Sequence, residues 1–263
     1  MNERIAISGM GGFIGSHLAE RFSSEQIERL DRTGDIPKGI DTVFDLAGYG
    51  NMAGHNGEPR EIYTANLMRV LNSLEQLGES RFIYTSTSSV TLPVQTFYSL
   101  SKMAGEQAVQ QYVTERGIRA CIVRPLTVTG VGDQPNHLIP TLIRSCLYGE
   151  EMPFVAGPVH DFIDVNDFVD GMLTIADKGE FKGEVYEIGT GTQLSNLEIK
   201  LMVENISGKV ANTRVVENVR KYDTKTWVAD NRRLKALGWK PKKTIEQTIS
   251  EMINYERTRS ASN

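Results

Sequence analysis

The stretch Gly9-Met10-Gly11-Gly12-Phe13-Ile14-Gly15 decides how the rest of this chain is interpreted. It follows a short apolar run at residues 4–8 and leads into residues 16–22, so the order is strand, glycine-rich turn, helix. Glycine permits positive φ and close approach of a ligand, and the free N–H groups of a helix N-terminus favour an anion such as pyrophosphate. The stretch therefore predicts a dinucleotide-binding turn, with a purely structural glycine turn as the alternative. The candidate contacts are Gly9, Gly12, Phe13, Ile14 and Gly15.

The composition is that of an ordinary globular protein. The chain has 263 residues, of which 40% are hydrophobic and 24% charged, enough to bury a sizeable core. A net charge of −4 gives no electrostatic footprint for nucleic acid or an anionic membrane. We found no signal peptide and no apolar run of membrane-spanning length, which predicts a cytoplasmic location. Cys121 and Cys146 lie in apolar segments without metal-ligand spacing, so we expect reduced core cysteines and no metal site.

An acidic residue follows the second predicted strand. Residues 27–31 read as a strand ending at Asp31, whose carboxylate would accept hydrogen bonds from a cofactor ribose and favour NAD over NADP. The neighbouring Arg32 could instead grip the 2′-phosphate of NADP. The structural alternative is that Asp31 belongs to the turn before Thr33-Gly34-Asp35.

The connection to the next strand is unusually short. A full strand–helix–strand crossover does not fit between Asp31 and residue 42, so one peripheral unit is predicted to be shortened. Either one peripheral strand is missing, or Gly34-Asp35-Ile36 is its vestige, and Asp35 and Ile36 are candidate cofactor contacts. The strand at residues 42–48 ends in Leu46-Ala47-Gly48, small residues at the carboxyl edge of the sheet where a cofactor can pass.

A polar residue interrupts the apolar side of the next predicted helix, at residues 59–77. Asn66 lies among leucine, valine and isoleucine positions. A buried amide needs hydrogen-bond partners. Asn66 therefore either bonds neighbouring backbone or helps to position something in the site.

A hydroxyl-rich strand end precedes a tyrosine and a lysine four residues apart. Residues 81–90 end in a cluster that includes Thr85, Thr87, Ser88 and Ser89, and Tyr98-Ser99-Leu100-Ser101-Lys102 opens the following helix. Residues four apart share a helix face, so Lys102 is expected to lower the pKa of Tyr98. Such a tyrosine can exchange protons with an alcohol, while Thr87 bonds the same substrate oxygen.

These features coincide in an order that resembles the extended short-chain dehydrogenase/reductase superfamily, in particular its NAD-dependent nucleotide-sugar epimerases and dehydratases. The resemblance implies an α/β fold with a Rossmann-like doubly wound parallel sheet and a small C-terminal substrate-binding lobe. Residues 1–130 would form mainly the NAD(P)-binding domain and residues 131–258 mainly the lobe, with about 161–190 returning to the first domain. The segments that carry the resemblance further are residues 43–48, 64–67, 124–130, 161–167 and 186–191.

The resemblance also implies partners and further site residues. Asn66 and Pro125 would lie near the cofactor, and Arg220 would contact the phosphates of a nucleotide sugar. The helices at 59–77 and 98–116 would pair across a homodimer as a four-helix bundle. One departure concerns the substrate, because His160 stands where the family usually has a phosphate-gripping arginine.

The residues after Thr87 bear on the reaction. Thr87-Ser88-Ser89 contains no carboxylate, whereas elimination of water needs an added acid/base pair, so dehydration is disfavoured. Hydride chemistry at one sugar carbinol remains, with NAD as the cofactor and NADP as the alternative. The leading hypothesis is an epimerase similar to UDP-glucose 4-epimerase. The same residues fit a reductase of 4-keto sugars or small carbonyl compounds, and a non-catalytic cofactor-binding regulator is the alternative from another class.

The candidate residues fall into three groups. Those for catalysis are Thr87, Tyr98 and Lys102. Those for the cofactor are Gly9, Gly12, Phe13, Ile14, Gly15, Asp31, Arg32, Asp35, Ile36, Leu46, Ala47, Gly48, Asn66, Thr85, Tyr98, Lys102 and Pro125. Those for the substrate are Thr87, Ser88, Ser89, Tyr98, His160 and Arg220.

Overall fold

The computed structural model describes residues 3–50, 58–217 and 223–261. The chain divides into two compact units. The first contains Met1–Pro125, Val169–Ile188 and Asn231–Trp239. The second contains Leu126–Phe168, Gly189–Asp230 and Lys240–Asn263.

The first unit is built on a parallel sheet. The strands of the described residues are β1 Ile5–Ser8, β2 Ile27–Arg29, β3 Thr42–Asp45, β4 Arg81–Thr85, β5 Arg119–Pro125, β6 Thr127–Thr129, β7 Met152–Phe154, β8 Val159–His160, β9 Phe162–Asp164, β10 Lys182–Ile188, β11 Leu194–Ser195 and β12 Thr213–Val215. Six of them form one sheet in the order β10-β5-β4-β3-β1-β2, and every neighbouring pair is parallel. The predicted doubly wound parallel sheet is confirmed.

The sheet ends at β2 because residues 30–41 contain neither helix nor strand, in agreement with the predicted loss of a peripheral unit. The chain leaves β1 in one direction along the sheet, to β2, and continues from β3 in the other direction. In open α/β sheets, ligands bind in the crevice at the carboxyl ends of the two strands that flank such a reversal, here β1 and β3. The sheet thereby brings the glycine turn after β1 and the small residues after β3 to the same edge.

Helices flank the sheet and form much of the second unit. In chain order they are α1 Phe13–Ala19, α2 Pro59–Tyr63, α3 Arg69–Gln76, α4 Phe97–Arg116, α5 Leu138–Tyr148, α6 Val165–Lys178, α7 Asn196–Ser207, α8 Arg232–Ala236 and α9 Ile245–Ala261. A π-helical turn, Thr64–Met68, joins α2 to α3. A capping box between Thr96 and Ser99 starts α4, and Gly117 ends it with a φ of 65°.

The core of the first unit lies between the sheet and the helices. Strands β1, β3 and β4 are buried along nearly their whole length, as is usual for parallel sheets, and their sequences are therefore largely apolar. Their side chains pack against Val70 and Leu74 of α3 and Val109 of α4. The strand residues of this cluster are Ala6, Val43, Phe82, Tyr84, Ala120 and Ile122.

The second unit has its own core beneath three short strand pairs. β6 pairs with β9 and β7 with β12 in parallel, whereas β8 and β11 are antiparallel. Apolar residues of α5, α7 and α9 pack together there. They include Ile139, Leu142, Ile143, Ile199, Val203, Ile249 and Ile253.

Candidate active site

The glycine turn forms a cradle against the end of β3. Gly9 has a φ of 67°, and a Cβ atom there would lie 2.9 Å from the backbone nitrogen of Ala47. A Cβ at Gly15 would come within 2.1 Å of the carbonyl oxygen of Gly9. The N–H of Gly12 donates to that same oxygen at 2.9 Å, and α1 begins at Phe13. The turn therefore has no room for a side chain at its first or last glycine.

A buried ion pair lies behind the end of β3. The guanidinium of Arg69 makes a bidentate pair with Asp45, one bond being 3.0 Å from Nη2 to Oδ2, and Nη2 also donates to the carbonyl of Ala47 at 3.0 Å. The Ser8 hydroxyl donates to Asp45 at 2.6 Å and accepts from the N–H of Ala47 at 3.0 Å. Both ionic side chains are almost completely buried.

Electrostatics keep this pair ionised. Burial acts to raise the pKa of Asp45, but attraction to Arg69 and Lys102 and the hydrogen bonds from Arg69 and Ser8 outweigh it, so the net pKa is lowered. Burial alone would lower the pKa of Arg69, yet Asp45 raises it overall. The sequence analysis missed both residues. The available signal was a carboxylate within an otherwise apolar strand.

Asn66 has partners for both ends of its amide. Its Nδ2 donates to the carbonyl of Tyr49 and to the hydroxyl of Ser101, at 2.8 and 2.9 Å. Its Oδ1 accepts from the N–H of Tyr49 at 2.8 Å. Of the two roles considered for this residue, the structure shows the first: it ties the chain after β3 to α4. A contact with the cofactor remains a prediction.

Asp31 lies in a turn rather than at the end of a strand. β2 ends at Arg29, so the strand predicted to reach Asp31 is two residues too long. Asp31 Oδ1 accepts from the N–H and the hydroxyl of Thr33, at 2.9 and 2.6 Å, and from the N–H of Gly34 at 3.2 Å. Such local bonds favour a turn over a strand. They also lower the pKa of Asp31, with the Thr33 hydroxyl as the largest cause. The exposed Arg32 follows, and ribose or phosphate contacts remain predictions.

The rest of the connection between β2 and β3 is hydrogen-bonded to α3. The carboxylate of Asp35 accepts from Asn72 at 3.0 Å and from Gln76 at 3.1 Å, and it also accepts a hydrogen bond from Thr33. These bonds, led by that from Thr33, lower the pKa of Asp35. Ile36 packs against the core of the first unit. Both residues thus have structural partners, and their contact with a cofactor remains a prediction.

The hydroxyl cluster lies at the carboxyl end of β4. Thr85 and Ser86 are buried, and within the described residues their side-chain oxygens have no hydrogen-bond partner. Thr87 caps a short 3₁₀ turn, Ser88–Thr91, by accepting from the N–H of Ser89 at 3.2 Å. The Thr87 and Ser89 hydroxyls are 3.0 Å apart, and the Thr87 side chain lies close enough to Tyr98 to act on the pKa of its phenol. That Thr87 and Tyr98 bond one substrate oxygen remains a prediction.

Lys102 is held one helical turn after Tyr98. Its Nζ donates to the carbonyl of Thr85 at 2.7 Å and lies 5.0 Å from the centroid of the Tyr84 ring. A Cβ at Gly48 would lie 3.5 Å from this Nζ, which places the amine beside the end of β3. Burial lowers the pKa of Lys102 to about 8, against the opposing attraction of Asp45.

The expected effect of Lys102 on Tyr98 is not what the structure gives. Burial raises the pKa of the Tyr98 phenol, and the hydrogen bond from Thr87 only partly offsets this. The predicted lowering is therefore wrong for this structure. Lys102 does not offset this effect of burial, because its Nζ donates to the Thr85 carbonyl and its charge is attracted by Asp45.

In the second unit, His160 lies among aromatic side chains. Its ring centroid is 5.1 Å from that of Trp227 and 5.6 Å from that of Phe162, and its Nδ1 is 3.4 Å from the Thr127 hydroxyl. The position thus carries an aromatic cluster where a phosphate-gripping arginine is usual. Arg220 lies outside the described residues.

Pro125 ends β5 in the first unit. The preceding Arg124 makes a bidentate pair with Glu106 of α4, at 2.9 and 2.7 Å. This pair fixes the end of β5 to the helix that carries Tyr98 and Lys102. Contact of Pro125 with a cofactor remains a prediction.

Comparison with known proteins identifies the family. The sequence profile of the NAD-dependent epimerase/dehydratase family matches residues 25–189, more than half of the chain. The chain belongs to this family. It is accordingly an enzyme of the epimerase and oxidoreductase type, and the family assignment made from its motifs is confirmed. No helix in the described ranges is long and apolar enough to cross a membrane.

Individual relatives are distant but match nearly end to end. A Bacillus subtilis protein described as an uncharacterized UDP-glucose epimerase is 23% identical, over 96% of this chain and 97% of that protein. The GDP-6-deoxy-D-mannose reductase of Pseudomonas aeruginosa is 24% identical, over 97% of each chain. The structure of UDP-glucuronic acid 4-epimerase from Bacillus cereus, in complex with UDP-glucuronic acid and NAD, superposes with a TM-score of 0.87. That match is 23% identical and covers 97% of this chain and 99% of the other.

Proposed function

We propose that this family member is an NAD(P)-dependent nucleotide-sugar epimerase that uses Tyr98 as its acid/base at a sugar carbinol. The observation that carries the proposal is that the Thr87 side chain lies close enough to Tyr98 to act on the pKa of its phenol, one helical turn from the buried amine of Lys102. Two hydroxyls and an ammonium converge at the carboxyl end of β4, on the sheet edge that also holds the glycine cradle.

The residues at this edge fit a dinucleotide. Gly9 and Gly15 pack so closely against neighbouring backbone that neither position admits a Cβ, and first-turn N–H groups of α1 have no intrahelical acceptor. The buried hydroxyls of Thr85 and Ser86, which have no hydrogen-bond partner among the described residues, lie at the same sheet edge. A bound nicotinamide would supply the hydride acceptor and donor. The lowered pKa of Asp31 keeps its carboxylate ionised, which disfavours a 2′-phosphate and supports NAD.

The side chains supply the proton chemistry. Because burial raises the pKa of Tyr98, its resting form is the neutral phenol, which can return a proton to a sugar oxygen. The Thr87 hydroxyl can hydrogen-bond the same oxygen. Since the pKa of Lys102 is about 8, its amine is largely protonated at neutral pH, and it favours the phenolate that forms once Tyr98 has given its proton to the sugar oxygen.

Substitution of Tyr98 by phenylalanine tests this assignment. Turnover of UDP-glucose to UDP-galactose with NAD should fall by about 10²–10⁴-fold, the usual contribution of general acid/base catalysis. The matched control is Tyr112→Phe on the same helix, where the hydroxyl bonds Glu75 at 3.2 Å. Near-normal turnover in Tyr98→Phe, with NADH binding retained, would refute the catalytic role.

The substrate class rests on the relatives, since the names of the Bacillus subtilis and Pseudomonas aeruginosa proteins described above include a nucleotide sugar. Recognition of the nucleotide phosphates by His160 and Arg220 remains a prediction. A panel of UDP-, GDP- and dTDP-sugars, each with NAD, should contain at least one member that raises the melting temperature, because a bound ligand stabilises the folded state. No shift with any nucleotide sugar would favour a small carbonyl substrate.

Reduction of a 4-keto sugar is the second candidate, favoured by the similarity to GDP-6-deoxy-D-mannose reductase. Both reactions use Thr87, Tyr98 and Lys102. An epimerase interconverts two sugars without net change in NADH absorbance. A reductase consumes one NADH or NADPH for each product molecule, so chromatography combined with absorbance distinguishes the two.

We also propose a homodimer formed through the helices after β3 and β4. Met68 in the π-helical turn and Phe97 and Leu100 on α4 are 56%, 55% and 39% exposed, which is unusual for large apolar side chains. Light scattering on the Phe97→Ser/Leu100→Ser double variant should give a monomer where the original chain gives a dimer. A monomeric original chain would contradict the proposal.

A further inference from the structure

The Asp45–Arg69 pair occupies an unusual place for two charges. It lies between β3 and α3, and the Arg69 and Asp45 side chains are only 4% and 0% exposed. Buried ion pairs are weak contributors to stability, because the loss of hydration offsets their attraction. Their known use is to specify one arrangement of the groups around them.

The pair holds one residue by both of its backbone polar groups. The Ala47 carbonyl accepts directly from Arg69 at 3.0 Å. The Ala47 N–H donates to Ser8 at 3.0 Å, and the Ser8 hydroxyl in turn donates to Asp45 at 2.6 Å. These bonds fix the position of the chain immediately after β3.

Ala47 also packs directly against the glycine turn at Gly9. Its nitrogen lies 2.9 Å from the place where a Cβ of Gly9 would be. The glycine turn and Ala47 therefore touch, and a small movement of Ala47 changes the space at this sheet edge. The ion pair thus acts on the cofactor half of the site without itself forming its surface.

The same pair determines much of the charge around Lys102. Asp45 at the end of β3 attracts the ammonium, and Arg69 of α3 repels it. Glu106 of α4 also attracts it but is paired with Arg124. The remaining neighbours are polar or aromatic: the Thr85 carbonyl and Tyr84 ring of β4, and Tyr98 on its own helix. Because Asp45 and Arg69 act on Lys102 with opposite sign, removing one leaves the other uncompensated.

We propose that Asp45 and Arg69 are positioning residues that clamp Ala47 against the glycine turn and balance the charge beside Lys102. The inference rests on the proposed cofactor role of that turn. It assigns two linked effects to one pair: Ala47 is held for dinucleotide binding, and the attraction of Asp45 for the Lys102 ammonium is partly offset by the repulsion of Arg69.

The clamp is tested with NADH as the fluorescent probe. Ser8→Ala removes one of the two bonds on Ala47 and leaves both charges, so the dissociation constant for NADH should rise by about three- to tenfold, the equivalent of one net hydrogen bond. Lys102 should titrate as before. The matched control is Ser80→Ala, another buried serine, whose hydroxyl donates to the Ile40 carbonyl at 2.6 Å away from the site. It should change neither quantity.

The charge balance is tested by the titration of Lys102, followed by NMR in protein labelled with ¹³C at the lysine Cε atoms and assigned with Lys102→Met. Asp45→Asn leaves Arg69 uncompensated, so the midpoint should fall by about one pH unit or more. The double variant Asp45→Asn/Arg69→Gln removes both charges, and its midpoint should return towards that of the original chain. A merely structural role for Asp45 would not be reversed by the second substitution.

The outcomes separate this inference from the proposed function. If the original chain binds neither NADH nor NADPH, the cofactor proposal fails. If it binds NADH, but Ser8→Ala binds equally well and the Lys102 midpoint does not move in Asp45→Asn, the positioning role is overturned. If Asp45→Asn does not melt cooperatively, the double variant Asp45→Asn/Arg69→Gln is measured in its place. Its NADH affinity should fall by about tenfold while the midpoint of the Lys102 titration stays unchanged. Unaltered NADH affinity in the double variant would overturn the clamp.

Discussion

Gly15→Ala probes the glycine cradle with a single methyl group. The added Cβ would lie 2.1 Å from the carbonyl oxygen of Gly9, 2.8 Å from its carbonyl carbon and 2.9 Å from the Cα of Met10. Ordinary contacts of a Cβ begin at 3.4 Å, so the turn must move by more than 1 Å at its closest point. All three atoms are backbone, and rotation of a side chain cannot relieve the contact.

The displaced carbonyl also accepts the hydrogen bond from the N–H of Gly12, so the movement reaches the whole turn. Overpacking of this kind costs about 1–3 kcal/mol, which corresponds to about 5- to 150-fold if the strain appears in binding. We therefore expect NADH affinity, measured by fluorescence titration, to fall by at least about tenfold. The melting temperature should fall by only a few degrees, since the sheet beneath the turn is unchanged.

Gly11→Ala is the matched control within the same turn. A Cβ at Gly11 meets only the end of the flexible Arg29 side chain, at 3.7 Å. NADH affinity should remain within about twofold of the original, because an exposed methyl group here displaces nothing. Equal affinity of Gly15→Ala and the original chain would refute the argument that this cradle receives the dinucleotide. An equal loss of NADH affinity in Gly11→Ala and Gly15→Ala would show that the contact of the Gly15 Cβ with the Gly9 backbone does not cause the loss.

Three further predictions concern stability. Gly105→Ala places a Cβ 2.2 Å from the buried Tyr84 hydroxyl. The free energy of unfolding, measured in urea, should fall by about 1–3 kcal/mol. An unchanged midpoint of urea unfolding would contradict this prediction. Arg69→Met leaves the Asp45 carboxylate buried and unpaired, so the same measurement should show a loss of about 3–5 kcal/mol, and a loss below about 1 kcal/mol would be inconsistent with a buried pair. Folding lowers the pKa of Lys102 from 10.5 to about 8, so between these values the unfolded chain binds more protons and stability from this group rises with pH. The stability of the original chain relative to Lys102→Met should therefore increase by about 3 kcal/mol from pH 8 to 10.5, and parallel pH curves would refute the lowered pKa.

Local patterns were sufficient for the fold and for part of the site. The spacing of Gly9, Gly12 and Gly15 after an apolar strand predicts the turn found after β1. The four-residue interval between Tyr98 and Lys102 places both on α4, and the side chain of Thr87 lies close enough to Tyr98 to act on its pKa. Such features follow from the periods of helices and strands and from the freedom of glycine, which can be read along the chain.

Some local features misled. The sequence predicts that β2 ends at Asp31, because a carboxylate after an apolar run is typical of a strand that ends beside a cofactor ribose. In the structure the same carboxylate bonds the backbone of Thr33 and Gly34, and the strand stops at Arg29. Short polar side chains can serve either purpose, and only the path of the following loop decides between them.

The sequence alone therefore determined the parallel sheet, its missing peripheral unit and the motif residues at its carboxyl edge. Only the tertiary structure paired Asp45 with Arg69, 24 positions apart, and brought both against Ala47 and the field of Lys102. It also decided the direction of the Tyr98 pKa, because burial outweighs the hydrogen bond from Thr87. The physical reason is that periodicity and backbone freedom are properties of neighbouring residues, whereas desolvation and ion pairing depend on which elements pack together.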